Sequence, residues 1–225
     1  MGDLVVAIDG PAGSGKSTTA REVARRLGLA HLDSGALYRA LTLAVLENGV
    51  DLDTEDQLLR LAAEAPVTLG LKEDRFFPQV GRADVSSEVR GEAVTTRVSE
   101  LAAVPGVRDW ATTLLRDAAR RHPRGVVCDG RDIGSVVFPD ARVKVFLTAS
   151  VAERARRRAL EQYGSDDPNR VSQLSRELLE RDEADSSRVA SPLLKPPDAV
   201  EVDTSRLTMD EQVQRIVDEA RKAFS

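Results

Sequence analysis

Cysteine is almost absent from this chain of 225 residues, in which Cys128 is the single example. One thiol excludes an intrachain disulfide framework and a CxxC metal pair, so we expect a reducing, cytoplasmic location. Long apolar runs are lacking as well. The first one covers residues 4–8, which is too short for the core of a signal peptide or for a membrane span. We therefore expect no membrane association.

An excess of positive charge is also lacking, because the formal net charge is -5 and the isoelectric point is about 5.3. We expect no nucleic-acid partner, since a bound anion has to be held by a local cluster of cations. The chain does have apolar material for a core, at 41% hydrophobic residues. Its length fits one α/β domain over residues 1–225 with a smaller inserted lobe, and we expect a monomer.

Strands and helices alternate along the sequence. Buried apolar runs predict strands at residues 4–8, 126–128, 143–147 and 199–202. Helical spacing of apolar residues predicts helices near 16–28, 35–46, 58–65, 105–122, 151–162 and 171–184. Residues 66–90 instead predict a small antiparallel insertion. This alternation favours a central parallel sheet flanked by helices, with ligands at the carboxyl ends of its strands.

Two capping boxes are predicted at helix starts. Thr54 with Gln57 precedes the third helix, and Thr208 with Glu211 precedes a final helix near the end of the chain.

Residues 10–17 fit the pattern G-x-x-x-x-G-K-[ST] between a predicted strand and a predicted helix. In such a loop, backbone N–H groups turn inward around a phosphate, and the lysine reaches the terminal phosphates of a nucleotide. An ordinary glycine-rich turn is the alternative, which the flanking strand and helix disfavour. The hydroxyl of Ser17 is the candidate ligand of Mg²⁺. The predicted ATP-binding set of the loop is Gly10, Pro11, Ala12, Gly13, Ser14, Gly15, Lys16, Ser17 and Thr18.

The loop alone does not identify the acceptor of a phosphoryl group. A guanine-specific GTPase usually carries Asn-Lys-x-Asp, but Asn48 and Asn169 are the only asparagines and neither precedes a lysine. A motor-type ATPase and a small-molecule kinase remain.

Arginines at predicted strand ends favour a second anion site. In residues 33–39, Ser34 is expected to cap a helix and Arg39 to lie about one turn into it. A capped helix with a surface arginine is the alternative. In residues 129–134, a glycine turn at a strand end places Arg131 between Asp129 and Asp132. A simple turn does not need that mixture of charges.

A third cluster, Arg181, Asp185 and Arg188, has the spacing i, i+4 and i+7 and is expected on one helix face. A solvated, ion-paired face is the alternative. The preceding helix begins with several arginines, including Arg154 and Arg157. Without interleaved aromatic residues, this basic stretch does not favour nucleic-acid binding.

Four strings carry a resemblance to a known family. They are IDGPAGSGKST at 8–18, LDSGALYR at 32–39, DGRDIGSVVFPDA at 129–141, and ERD at 180–182 followed by Asp185 and Arg188. Together they resemble the bacterial cytidylate kinases, within the nucleoside monophosphate kinases, over nearly the whole chain. Eukaryotic UMP/CMP kinases differ after the loop and lack a long insertion like residues 66–90. Shikimate kinases carry a second acidic residue near the position of Ser34.

The resemblance implies a P-loop kinase fold, with a nucleotide-binding lobe around residues 63–104 and a lid around 154–170. It implies phosphorylation of CMP and dCMP by ATP with Mg²⁺. The catalytic cations would be Lys16, Arg39, Arg131 and Arg188, and Arg154 and Arg157 would close over ATP. The acceptor phosphate would be bound by Ser34, Arg39, Arg131 and Arg188, the cytosine edge by Ser99, Arg108 and Asp132, and the ribose by Arg181 and Asp185.

The resemblance leaves alternatives for two residues and for the function. Tyr38 and Asp129 are also expected at the CMP site, and Asp129 either orients magnesium-bound water or caps a turn. Ser17 stands where many relatives have glycine, so its hydroxyl either strengthens the magnesium site or only matches the broader phosphate-loop pattern. Another small-molecule kinase acting on UMP or shikimate, or a non-enzymatic ATP-dependent switch, is the alternative function. A switch would not need the second anion site.

Replacing Lys16 by alanine tests the phosphate loop. Loss of the cation that holds the terminal phosphates should cost about 3 kcal/mol or more of transition-state stabilisation. That cost corresponds to a fall in kcat/KM of roughly a hundredfold or more, measured by steady-state kinetics with ATP. Near-normal turnover would show that Lys16 does not hold the phosphates.

Overall fold

The computed structural model describes residues 4–52 and 54–224. Its strands are β1 (Val5–Asp9), β2 (Ala30–Asp33), β3 (Val67–Lys72), β4 (Arg75–Val80), β5 (Ala83–Asp84), β6 (Val126–Gly130), β7 (Val143–Thr148) and β8 (Val200–Asp203). Its helices are α1 (Lys16–Leu27), α2 (Ser34–Asn48), α3 (Glu55–Glu64), α4 (Glu92–Leu101), α5 (Pro105–Arg121), α6 (Val151–Tyr163), α7 (Pro168–Ser186) and α8 (Met209–Phe224). A 3₁₀ turn at Glu88–Arg90 and a π-helical turn at Ile133–Val137 are also present. No helix within these ranges combines the length and the apolar character that a bilayer crossing requires.

One mixed sheet brings the candidate residues together. Its strand order is β3-β4-β2-β6-β1-β7-β8, with β5 paired to β4. The five strands from β2 to β8 in this order run parallel, as the alternation of strands and helices predicts. Asp129 in β6 lies beside Asp33 of β2 and Ile8 of β1. The carboxyl ends of β1, β2 and β6 therefore meet at one end of the sheet.

Helices cover both faces of the sheet. Successive strand residues point to opposite faces, so that Ala7 joins a core with α2, α3 and α5, whereas Val6 and Ile8 pack with α1 and α8. All five residues of β1 are buried, as expected for a central parallel strand. A smaller cluster packs Ala12 against α6 and α7.

The strands predicted from apolar runs are confirmed as β1, β6, β7 and β8, and the predicted helices correspond to α1, α2, α3, α5, α6, α7 and α8. Two elements are missing from the sequence prediction. β2 has only four residues and none of them is β-branched. α4 buries only Val94, Val98 and Leu101, which is a narrow apolar stripe. Pairing with β6 and packing on α2 stabilise these weak local signals.

The antiparallel insertion predicted at residues 66–90 is confirmed as β3, β4 and β5. It also extends the main sheet, because β4 pairs with β2 through Arg75 and His31. The roles of residues 63–104 as a substrate-binding lobe and of 154–170 as a lid stay predictions.

The two predicted capping boxes have different outcomes. Before α8, the Glu211 N–H donates to Oγ1 of Thr208 at 3.3 Å, and the Thr208 N–H donates to Oε2 of Glu211 at 2.8 Å. The capping box at Thr54 is wrong, because the Thr54 side chain makes no capping hydrogen bond. The Thr54 carbonyl accepts the Gln57 N–H at 3.0 Å instead, so the backbone closes this first turn.

Candidate active site

A cavity of about 690 Å³ lies at the carboxyl ends of the central strands. The loop between β1 and α1 forms one wall, and residues of α2, α4, α5, α6 and α7 contribute to the others. Most of the predicted site residues line it, namely Ala12, Gly13, Gly15, Lys16, Ser17, Thr18, Ser34, Tyr38, Arg39, Ser99, Arg108, Asp129, Arg131, Asp132, Arg154, Arg157, Arg181, Asp185 and Arg188. The fold thus brings together segments that are far apart in the sequence.

The phosphate loop, residues 10–17, is held in a tight turn. A Cβ at Gly10 would lie 2.0 Å from the carbonyl oxygen of Leu147, so only glycine lets the loop pass this close to β7. Gly15 has a φ of 85°, the left-handed region, directly before α1. Inside the turn, Nζ of Lys16 donates to the carbonyl of Pro11 at 2.6 Å and to Oγ of Ser14 at 3.4 Å.

Lys16 is a buried cation, with 6% of its surface exposed. Burial lowers the pKa of Lys16 well below its ordinary value, and the nearby positive charge of Arg131 lowers it further. Negative charge bound in the loop would oppose both effects, because it would favour the charged ammonium. The loop therefore suits an anion such as a phosphate.

Asp129 connects the phosphate loop with β2 and α2. Its Oδ2 accepts a hydrogen bond from Oγ of Ser17 at 2.6 Å, and its Oδ1 lies 2.8 Å from Nε2 of His31. Its backbone carbonyl accepts from Oγ of Ser34 at 2.8 Å. Burial alone would raise the pKa of Asp129, but the hydrogen bonds from His31 and Ser17 and the charge of Lys16 bring the pKa below its ordinary value. Asp129 is therefore a carboxylate at neutral pH.

The pair Ser17 and Asp129 fits a magnesium ion. A hydroxyl and a carboxylate oxygen at 2.6 Å are hard oxygen ligands of the kind that Mg²⁺ prefers. Among the described residues, no cluster of three or more His, Cys, Asp or Glu side chains is placed to hold a metal. Such an ion would therefore take its other ligands from phosphate and water, as is usual for Mg²⁺ in nucleotide sites.

The start of α2 corrects one prediction. Ser34 is not the helix cap, because Oδ1 of Asp33 accepts the Ala36 N–H at 3.2 Å and makes Asp33 the capping residue. Ser34 is the first residue of the helix, and its hydroxyl is used for the bond to Asp129. Arg39 does lie about one turn further, where Nη1 donates to the Val89 carbonyl at 3.0 Å and to Oγ1 of Thr95 at 2.8 Å.

The expected position of Arg188 on a helix face is also wrong, because α7 ends at Ser186 and Arg188 follows it. The chain turns so that the Arg188 guanidinium still pairs with Asp185. The other oxygen of Asp185, Oδ2, accepts from Nε of Arg131 at 2.7 Å. One buried carboxylate thus holds two of the predicted phosphate-binding arginines.

Positive charge exceeds its local compensation in this part of the cavity. Nε of Arg181 is buried and has no hydrogen-bond partner in the described part of the chain. Burial lowers the pKa of Arg181 to about 9, and the positive charges of Arg131, Arg39 and Arg158 act in the same direction. Burial and the Arg108 charge likewise lower the pKa of Arg188 to about 10. An anionic ligand would relieve this repulsion.

Another part of the cavity wall contains the residues expected to bind the cytosine base. Nη2 of Arg108 donates to Oδ2 of Asp132 at 2.5 Å, and Nη1 donates to the Ala102 carbonyl at 2.8 Å. The Arg108 guanidinium also lies 5.4 Å from the ring centre of Tyr38. Ser99 lines the same cavity. Together these groups offer donors, an acceptor and an aromatic ring to a planar polar ligand.

The arginines expected at ATP already have protein partners. Arg154 donates to the carbonyls of Ala12 and Ala149 at 2.7 and 3.1 Å. Arg157 donates to the carbonyl of Thr204 at 2.6 Å. Both line the cavity, and their contact with ATP stays a prediction.

Sequence patterns did not identify Asp9 as a site residue. Its two oxygens accept the N–H groups of Ile133 and Gly134 at 2.8 and 2.7 Å, which fixes the turn that carries Arg131 and Asp132. Burial raises the pKa of Asp9 to about 6 despite these two hydrogen bonds. Asp9 ends a strand in the sequence, and its partners lie more than a hundred residues away, so no local signal marks the contact.

Comparison with known proteins identifies the family. The cytidylate kinase family model matches residues 6–222. The cytidylate kinase of Streptomyces griseus subsp. griseus is 45% identical over 214 residues, which cover 95% of this chain and 91% of that protein. The chain belongs to the cytidylate kinase family. The cytidylate kinase of Pseudomonas fluorescens is 47% identical over 219 residues, covering 96% of this chain and 94% of that protein.

Among solved structures, TT1252 from Thermus thermophilus matches 100% of both chains, with a TM-score of 0.54 and 19% identity, which supports a shared fold. Membership of the cytidylate kinase family confirms the resemblance that the four sequence strings predict. The P-loop kinase fold, with a mostly parallel sheet between helices, is confirmed as well. The roles of single residues toward ATP and CMP stay predictions.

The pKa of Asp9 predicts a pH effect on stability. Since the folded pKa lies above the unfolded value, the native state binds more protons between about pH 4 and pH 6, and the contribution of Asp9 falls as the pH rises through that range. The fall should be about 2–3 kcal/mol. Urea unfolding of the wild type and of Asp9→Asn at several pH values measures it as a difference. The free energy of unfolding of the wild type minus that of Asp9→Asn should fall as the pH rises from about 4 to 6. A rise of this quantity over the same range would contradict the raised pKa.

Proposed function

We propose that this protein transfers the terminal phosphoryl group of ATP to CMP and releases CDP and ADP. The observation that carries the proposal is a cavity with two cationic regions. Lys16 and the start of α1 form one region, and Arg39, Arg131, Arg181 and Arg188 form the other. A non-enzymatic switch needs only the first of these. Family membership favours CMP as the acceptor bound by the second.

The donor site consists of the phosphate loop. Its backbone N–H groups and Lys16 would hold the ATP phosphates, and the desolvated ammonium of Lys16 would gain a counter-charge on binding. Ser17 and Asp129 would hold Mg²⁺. When bound, this ion would neutralise charge on the phosphate oxygens.

The acceptor site aligns the attacking phosphate. Arg39, Arg131 and Arg188 would bind the CMP phosphate, and Asp185 fixes the orientation of two of them. The attacking group is already an oxyanion, so the reaction needs no general base. Catalysis then depends on alignment and on stabilising charge spread over the transferred group.

The base site has a polarity that suits cytosine. A carboxylate accepts hydrogen bonds but does not donate them, so Asp132 would accept from the amino group of cytosine. A carbonyl at the same position, as in uracil, would face the carboxylate without a hydrogen bond. Arg108, the ion-pair partner of Asp132, keeps this carboxylate oriented. Arg181 and Asp185 would contact the ribose, and use of dCMP is also proposed.

Closure of residues 154–170 over ATP would exclude water and so suppress hydrolysis. We also propose that the protein is a cytoplasmic monomer, which gel filtration and cell fractionation test.

An ADP-release assay with ATP, Mg²⁺ and, in turn, each nucleoside monophosphate or shikimate as acceptor tests the proposed function. We expect ADP release that depends on CMP and is lost when EDTA removes the metal. A rate independent of CMP would favour the ATP-dependent switch. Dependence on UMP alone or on shikimate would identify another small-molecule kinase.

Replacing Asp132 by alanine tests the base site. Loss of an acceptor for the cytosine amino group should lower kcat/KM for CMP by about tenfold or more while changing that for UMP much less. The measurement is kcat/KM for both nucleotides. Asp109→Ala, which removes an exposed carboxylate on α5, is the matched control. An equal fall for CMP and UMP would show that Asp132 does not read the base.

A further inference from the structure

Asp182 lies on α7 and contacts the phosphate loop. Its Oδ1 accepts a hydrogen bond from the Ala12 N–H at 3.1 Å, and its Oδ2 pairs with Nη1 of Arg154 at 2.7 Å. Both carboxylate oxygens are therefore engaged. The Asp182 side chain is only 18% exposed, so water and salt screen these contacts less than they would at the surface.

Arg154 also contacts the backbone of Ala12. Its Nη1 donates to the Ala12 carbonyl at 2.7 Å, while Nε donates to the Ala149 carbonyl at 3.1 Å. Asp182 thus accepts a hydrogen bond from the Ala12 N–H, and Arg154 donates one to the Ala12 carbonyl. Charge-assisted hydrogen bonds of this kind are stronger than neutral ones. The Ala12 methyl group packs in a cluster with residues of α6 and α7, which holds the loop on the same side.

The residues on either side of Ala12, Pro11 and Gly13, contact Lys16 and α6. The carbonyl of Pro11 accepts the bond from Lys16, and Gly13 passes so close to α6 that an added Cβ would touch the Cβ of Arg154 at 3.4 Å. The placement of the loop, and with it the anchor of Lys16, is therefore set in part by α6 and α7.

The same helix α7 also reaches the acceptor site. Arg181 precedes Asp182 and lines the cavity, and Asp185 pairs with Arg131 and Arg188. A single helix thus contacts the donor loop through one carboxylate and the acceptor arginines through another.

From this arrangement we infer that Asp182 is a positioning residue, which fixes the phosphate loop relative to α7 and so sets the spacing between bound ATP and bound CMP. It acts through Ala12 and Arg154 and does not contact the transferred group. The inference rests on the proposed function. It assigns a residue on the acceptor-side helix an effect on the donor nucleotide, which a purely stabilising contact would not have.

Two variants of Asp182 test this role. Asp182→Ala removes both contacts, whereas Asp182→Asn keeps the size of the side chain and loses the charge that pairs with Arg154. Glu183→Ala and Glu183→Gln are matched controls, because Glu183 is the adjacent, exposed carboxylate of α7. The measurements are kcat and the KM for each substrate, together with calorimetric binding of ATP with Mg²⁺ and, separately, of CMP.

We expect Asp182→Ala to lower kcat by about tenfold or more and to weaken ATP binding by a similar factor, with a smaller loss of each in Asp182→Asn. CMP binding in the absence of ATP should change by less than about threefold, because the contacts of Asp185 remain. The Glu183 variants should behave as the wild type does. Thermal melting confirms that each variant is folded at the assay temperature.

The inference is wrong if folded Asp182→Ala keeps kcat and ATP affinity within about twofold of the wild type. It is also wrong if CMP binding falls as much as ATP binding, since that indicates a general distortion of the site. If Asp182→Ala does not fold, Asp182→Asn decides by the same two criteria. Failure of the proposed function would be seen separately, as a wild type without CMP-dependent ADP release, and ATP calorimetry would still decide the role of Asp182.

Discussion

The buried carboxylate of Asp129 joins the elements that form both halves of the site. It accepts hydrogen bonds from Ser17 on α1 and from His31 on β2, and its backbone carbonyl accepts from Ser34 on α2. A carboxylate removed from water is costly unless hydrogen bonds and cations compensate it. Here the partners supply that compensation, so that the phosphate loop, β2 and α2 share one anchor at the end of β6.

Around this anchor the protein gathers cations that its own carboxylates only partly balance. Asp185 serves both Arg131 and Arg188, while Nε of Arg181 stays buried without a partner among the described residues. Uncompensated buried charge destabilises a folded protein. In the proposed reaction the same charges would already lie where the phosphates bind, so that little reorganisation would be needed. The net charge of -5 shows that this cationic surplus is local.

Much of the fold can be predicted from the sequence, because apolar periodicity identifies the central strands and most helices. The phosphate loop is equally visible, since its glycines and lysine act within eight residues. Prediction fails where the local signal is weak or ambiguous. Asp33 and Ser34 are both good capping residues, and only the bond from Ser34 to Asp129 leaves the cap to Asp33. The i+7 spacing of Arg188 places it on the helix only if the helix continues, and α7 ends first.

The sequence by itself determined the type of element at most positions, the phosphate loop, and the short strings that contain Arg39, Arg131 and Arg188. These features depend on interactions between near neighbours in the chain. Only the tertiary structure decided that Asp9 fixes the turn after β6, that His31 orients Asp129, and that Asp182 holds Ala12. Each of these bonds joins residues about a hundred or more positions apart. Their formation depends on strand order and helix packing, which bring together partners that are distant in the sequence.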